Sequence, residues 1–146
     1  MIKKVVIIGG EGNGAVVASV IEDINKYKKI YDILGFINDD GKVPGAYRYL
    51  GKINKKNIKI YEKKGAYFFW SLISVKLKDK LLNKLKSLEI PISRFITIIH
   101  PSSVIGNDVK IGKGVLIAPL VNISPGVVIK NFIHIFAQSM IGHDTK

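Results

Sequence analysis

The stretch that decides the fold is Ile99 to Lys146. Cut every six residues it reads IHPSSV, IGNDVK, IGKGVL, IAPLVN, ISPGVV, IKNFIH, IFAQSM and IGHDTK. All eight hexads open on isoleucine, from Ile99, Ile105 and Ile111 through to Ile141. The fifth place is always small or β-branched, from Ser103 and Val109 to Ser139 and Thr145. Repetition at a fixed period outranks local propensity as a fold signal. The pattern predicts a solenoid with flat faces, each face built by one short strand. In it the first isoleucine fills the interior and the fifth residue packs inward nearer the corner. Gly106, Gly112 and Gly142 suit the turns between faces.

Upstream of the hexads the rhythm differs. From Met1 to about Ser93, short apolar runs alternate with helical stretches, as in an α/β unit. KKVVIIGG reads as a buried parallel strand ending at glycines, and YDILGFI and AYFFWSLI read as two more strands. Between the first two, Ala15 to Lys26 carries Val16, Val17, Val20, Ile21 and Ile24 at helical spacing, and KLKDKLLNKLKSL predicts an amphipathic helix. The turn GGEGNGA, Gly9 to Ala15, lets backbone N–H groups approach a phosphate at a helix N-terminus. FINDD then sets Asn38, Asp39 and Asp40 at the end of the second strand, where a ribose or base would lie. A tight strand-to-helix turn without ligand uses the same glycines. An NAD-binding module would also use them, but it needs a full dinucleotide fold, for which the chain has no room.

Composition bounds the rest. At 146 residues there is space for one ordinary domain, or two very small ones sharing a core. With 47% hydrophobic and 23% charged residues the composition is globular. No apolar run reaches the roughly 18 residues that spanning a bilayer takes. A soluble protein without a membrane partner is the expectation. The start MIKKVVIIGG imitates a signal peptide, but the run is short and lacks a small-residue cleavage site. There is no cysteine, which excludes disulfides, thiolate metal sites and cysteine nucleophiles, and suits a reducing cytoplasm. The net charge of +12 permits phosphate-rich partners without choosing among them. Most lysines fall between Lys52 and Lys86 and read as a solvated face. The aromatics of YFFW have no interleaved basic residues, so no nucleic-acid partner is expected.

The hexads resemble those of the hexapeptide-repeat acyltransferases, which wind a left-handed parallel β-helix with three hexads per coil. On that resemblance the chain is C-terminally truncated: it stops inside the solenoid, partway through a third coil. VVIIGGEGNGAVVASVI, ILGFINDD followed by YLG, FITIIHPSSVIG and the final IGHD together resemble a narrower family. These are the bacterial sugar acetyltransferases that modify UDP-4-amino sugars on nitrogen, or sialic acid on oxygen, in surface-glycan biosynthesis. The resemblance implies a Rossmann-like nucleotide-sugar-binding domain with a parallel sheet over residues 1–95. It implies an incomplete left-handed parallel β-helix of about eight hexads over 96–146. It further implies acetyl-CoA as acyl donor, lying between neighbouring subunits of a homotrimer, and His143 of the GHD motif as general base with Asp144 as its carboxylate partner. Gly10, Gly12, Asn13, Gly14, Asn38 and Asp39 would line the nucleotide-sugar site.

Chemically, an amine or hydroxyl attacking a thioester must lose a proton, which an imidazole accepts near neutral pH while a carboxylate orients its ring. The alternative is a truncated or degenerate relative that folds and oligomerises without catalysing. His100 in IHP reads as the structural entry into the solenoid, and His134 as a solvent-facing corner residue. The nine positions from His134 to His143 do not match the paired ligands of hexapeptide-repeat carbonic anhydrases, so no metal is expected. The family pattern differs at four further places. Asn13 stands for its usual histidine, Asn38 for its aspartate, Ile73 and Ser74 for its Gly-Asn or Gly-Asp after the third strand, and Phe136 for its asparagine.

Overall fold

A computed structural model describes Met1 to Lys146. The first half builds a parallel sheet from β1 (Lys3–Ile8), β2 (Tyr31–Ile37) and β3 (Tyr67–Trp70), in the order β2-β1-β3. Three strands is half the sheet of a full dinucleotide fold. Val5 to Ile8 are all buried, because this central strand is covered on both faces. On one face Val5 and Ile7 pack with Val17, Val20, Ile21 and Ile24 of α1 (Asn13–Tyr27). Val16, placed on the apolar stripe by spacing, is instead 38% exposed. The other face sets Val6, Ile8 and Trp70 against Ile58 of α2 (Lys55–Lys63) and Leu85 of α3 (Lys78–Ser87).

The stretch KKNIKIYEK of α2 was hidden by its lysines. Only Ile58 in it is buried, and its start is set by Asn54, whose side chain accepts from the Asn57 N–H at 2.8 Å.

The hexads form eight two-residue strands. These are β4 (Ile98–Ile99), β5 (Val104–Ile105), β6 (Lys110–Ile111), β7 (Leu116–Ile117), β8 (Asn122–Ile123), β9 (Val128–Ile129), β10 (His134–Ile135) and β11 (Met140–Ile141). They stack in parallel as β4-β7-β10, β5-β8-β11 and β6-β9, so each coil takes three hexads. Ile98 pairs with Leu116 and Lys110 with Val128, one full coil later in the chain.

The middle coil closes: Val115, Ile117, Val121, Ile123 and Val127 are all 0–1% exposed. The outer coils have a neighbour on one side only, and there Ile99 is 37% and Ile133 41% exposed. Ile129 and Ile135, also stacked on one side only, stay 7% and 5% exposed, so an end coil opens some of its inward positions to water and keeps others closed.

The turns also differ from expectation. Positive φ falls at the fourth place of each hexad from the second on: Asp108, Gly114, Leu120, Gly126, Phe132, Gln138 and Asp144. Gly106 and Gly112 stand at the second place for another reason, close approach of the next coil. A Cβ there would meet the Pro125 nitrogen or the Asn131 Oδ1 at 2.5 Å.

The sheet and the solenoid share a core. Ile98 and Leu116, which point outward from the first face of the solenoid, join the same apolar cluster as Val5, Ile7 and α1. The Ile96 N–H donates to Phe68 O at 3.1 Å, carrying β3 into the first coil. No helix is long and apolar enough to cross a membrane.

Candidate active site

The glycine turn sits at the C-terminal ends of the strands, where parallel sheets bind ligands. Ser71, just past β3, donates its Oγ–H to Ile8 O at 2.9 Å, and any Cβ at Gly9 would collide with that Oγ. Gly9 must be glycine, since its φ of 143° and this contact both exclude a side chain. A Cβ on Gly10 would lie 2.6 Å from Lys42 O, whereas one on Gly12 would meet nothing. Gly12 is the N-cap of α1, with no side-chain cap bond and no acidic residue in the first turn. The first N–H groups of this helix, at Asn13 and Gly14, have no side-chain acceptor, an arrangement that suits an anion.

Asn38 is buried and fully engaged. Its Nδ2 donates to Lys42 O at 2.8 Å and to Gly9 O at 3.3 Å, and its Oδ1 accepts from the Gly41 N–H at 2.7 Å. It acts as a bracket that holds the loop after β2 against the glycine turn. Asp39 faces away from that turn. Its Oδ1 accepts from the Ile53 N–H at 3.0 Å, and its Oδ2 pairs with the Lys84 ammonium from α3. Partial burial pushes the Asp39 carboxyl up, but the Lys84 hydrogen bond, the Ile53 N–H and the charges of Lys84 and Lys52 together hold it below the usual range. The structure thus brings Gly10, Gly12, Asn13, Gly14 and Asn38 together, with Asp39 on the far side of the same edge. Lys84 and Ser71 had no sequence signal, since they lie far along the chain from their partners.

On the last coil, His143 Nδ1 and Asp144 Oδ2 are 2.7 Å apart, with side chains 83% and 91% exposed. A carboxylate only accepts, so Nδ1 carries a proton, and in the neutral ring Nε2 is the acceptor. Asp144 reaches back because it occupies the fourth, positive-φ place of its hexad, with φ 64°. No hydrogen bond links His143 or Asp144 to the sheet unit.

The other histidines are structural. His100 is 2% exposed, with Nε2 donating to Asp23 Oδ2 at 2.7 Å and Nδ1 accepting from the Ser102 hydroxyl at 2.7 Å. It ties the first coil to α1. His134 is not a solvent-facing corner: its Nε2 donates to Trp70 O at 3.0 Å and its ring packs on Phe69. Burial pushes its pKa down, and the bond to Trp70 O opposes this only partly. Its Nδ1 is buried without a partner. No three His, Cys, Asp or Glu side chains cluster as a metal site.

This is a small parallel α/β unit fused to a three-sided parallel solenoid, and solved structures share that combination. PerB from Caulobacter crescentus, in complex with CoA and GDP-perosamine, is similar with a TM-score of 0.74 at 26% identity. The likeness covers 99% of this chain and 65% of PerB, so the chain spans about two thirds of that protein's length. The acetyltransferase domain of PglB from Neisseria gonorrhoeae, with acetyl coenzyme A, is similar with a TM-score of 0.69 at 17% identity, covering 96% of this chain and 67% of that one. At that identity the likeness shows the fold alone. No family model and no curated protein matches the chain.

Proposed function

We propose that the protein is an acetyl-CoA-dependent acetyltransferase acting on a nucleotide-linked amino sugar. The observation that carries this is the His143–Asp144 pair, with Nε2 free, in a chain that also holds an uncapped helix N-terminus behind a glycine turn. The likeness to PerB, solved with CoA and GDP-perosamine, supports both ligand classes.

In this reading residues 1–95 form a reduced Rossmann-like unit, where the N–H groups at Asn13 and Gly14 hold the diphosphate. The left-handed helix of residues 96–146 presents His143. As the sugar amine attacks the thioester carbonyl, Nε2 takes its proton and Asp144 stabilises the imidazolium. The tetrahedral intermediate then collapses, the C–S bond breaks, and the departing CoA sulfur takes the proton from His143 Nε2, which returns the ring to its neutral form. Because His143 makes no bond to its own sheet unit, a neighbouring copy in a homotrimer supplies the facing surface. The enzyme would work in the cytoplasm, in surface-glycan biosynthesis.

The second reading, a scaffold that folds without catalysing, is favoured by the exposure of His143. A catalytic ring needs to be held within about half an ångström and 10–20° of its productive pose. Release of free CoA separates the two. Turnover with a nucleotide-linked 4-amino sugar supports the enzyme, and its absence with both UDP- and GDP-linked acceptors supports the scaffold. Calorimetry with UDP, GDP and NAD tests the glycine turn, and preferential binding of NAD would overturn the nucleotide-sugar assignment.

A further inference from the structure

Past Ser71 the chain runs as Leu72 to Lys78, LISVKLK, into α3. Val75 is 93% exposed, Leu77 50%, Ile73 45%, and Leu82 on the next turn of α3 37%. Four apolar side chains facing water from one loop and one helix turn are more than scattered exposure accounts for. The loop is held in this shape rather than loose, since the Leu77 N–H donates to Ser74 Oγ at 3.2 Å. Ile73, Val75 and Leu82 line one side of an open pocket of about 410 Å³, with Trp70, Phe132 and His134 also in its wall.

Lysines alternate with this apolar ridge. Lys76, Lys78 and Lys80 are all exposed, and none takes part in an ion pair. The single acid among them is Asp79. Nearby Asp39 and Glu89 are already paired with Lys84 and Lys55.

We propose that this loop and the first turn of α3 dock on an anionic lipid surface. Ile73, Val75 and Leu77 enter the headgroup boundary, and Lys76, Lys78 and Lys80 meet lipid phosphates. Apolar insertion and basic attraction are the two signals that reversible surface binding takes together. The charge pattern argues against a second copy as the occupant. Lysine is depleted from the cores of protein interfaces, and a second copy meeting this patch with its own would set Lys76, Lys78 and Lys80 against like charges. The absence of a long apolar helix concerns spanning and leaves surface docking open.

The test is co-sedimentation of the protein with vesicles of phosphatidylcholine alone and of phosphatidylcholine with phosphatidylglycerol in equal parts. Binding to the mixed vesicles alone is expected, weakened by salt, and weakened by inorganic pyrophosphate no more than by sodium chloride of the same ionic strength. Each lysine near an anionic surface strengthens binding by about fivefold, so Lys76→Glu with Lys80→Glu should weaken it by well over tenfold. Val75→Ser should weaken it markedly without moving the thermal midpoint, because that side chain is 93% exposed. Failure to sediment, equal binding to neutral vesicles, or variants that bind like the wild type would overturn the proposal. So would an oligomer that Leu77→Ser dissociates, which would assign the patch to a second copy. None of these results depends on acetyl transfer, so this proposal and the enzymatic one fail separately.

Discussion

The middle and last coils of the solenoid carry the same sequence pattern and have different physical characters. Ile117 is sealed between Ile99 and Ile135, each a coil away, and is 0% exposed. Ile141 stacks on Ile123 below, with no partner strand above, and stays partly exposed. Burial in a solenoid thus depends on the place in the stack as well as on the residue. The proposed chemistry depends on this contrast. The closed coil supplies rigidity and the sheet unit a bracketed glycine turn, while the exposed coil presents the one histidine whose unpartnered nitrogen lies on an exposed side chain.

The contrast is sharpest under charge insertion. Ile117→Asp is expected to cost about 4 kcal/mol or more, since a carboxylate there has neither water nor a partner. Ile141→Asp should cost less than half as much. Urea unfolding of both variants checks this, and equal losses would mean that the coils do not differ as described.

His100 and His143 give a second contrast, one ring engaged at both nitrogens and the other at one. His100→Ala should lose about 2–3 kcal/mol, because it leaves Asp23 and Ser102 without their buried partner. His143→Ala should leave the midpoint of a thermal melt unchanged.

The Asp23 carboxyl is held below the usual range first by the Lys26 hydrogen bond and then by that of His100. Its contribution is therefore complete above the ordinary carboxylate pKa and is lost as pH falls through the lower folded value. Melts of Asp23→Asn and wild type should converge at the acid end of a titration.

A small pH-dependent effect belongs to His134. Burial depresses its pKa, so the unfolded chain binds more protons below about 6.5, and stability falls as pH drops from there toward the folded value. His134→Phe should flatten the melting midpoint between neutral pH and about pH 5 relative to wild type. An unchanged slope would mean that the ring is solvated.

Much of the fold was legible because period is a strong signal. Eight isoleucines at a spacing of six encode the stack, and the apolar run of β1 encodes a strand covered on both sides. The turn geometry was not legible. Leu120, Phe132 and Gln138 occupy positive-φ places that their side chains do not favour, and only the coil forces them there. Nor was α2, whose lysines mask a single buried isoleucine. In the candidate site, the glycine turn and the His-Asp pair were visible as motifs. The role of Asn38 as a bracket, the pairing of Asp39 with Lys84 and the bond from Asp23 to His100 were not. Each joins residues whose types are common on any surface, and the last two also join elements distant in the chain.

The central claim is that His143 takes the proton from a sugar amine during acetyl transfer. The direct test is free CoA released by the protein from acetyl-CoA, with a nucleotide-linked 4-amino sugar as acceptor, in wild type and His143→Ala. Loss of one general base should lower the rate by about 10²–10⁴-fold while the folding midpoint stays in place. Undiminished turnover by His143→Ala would contradict the account.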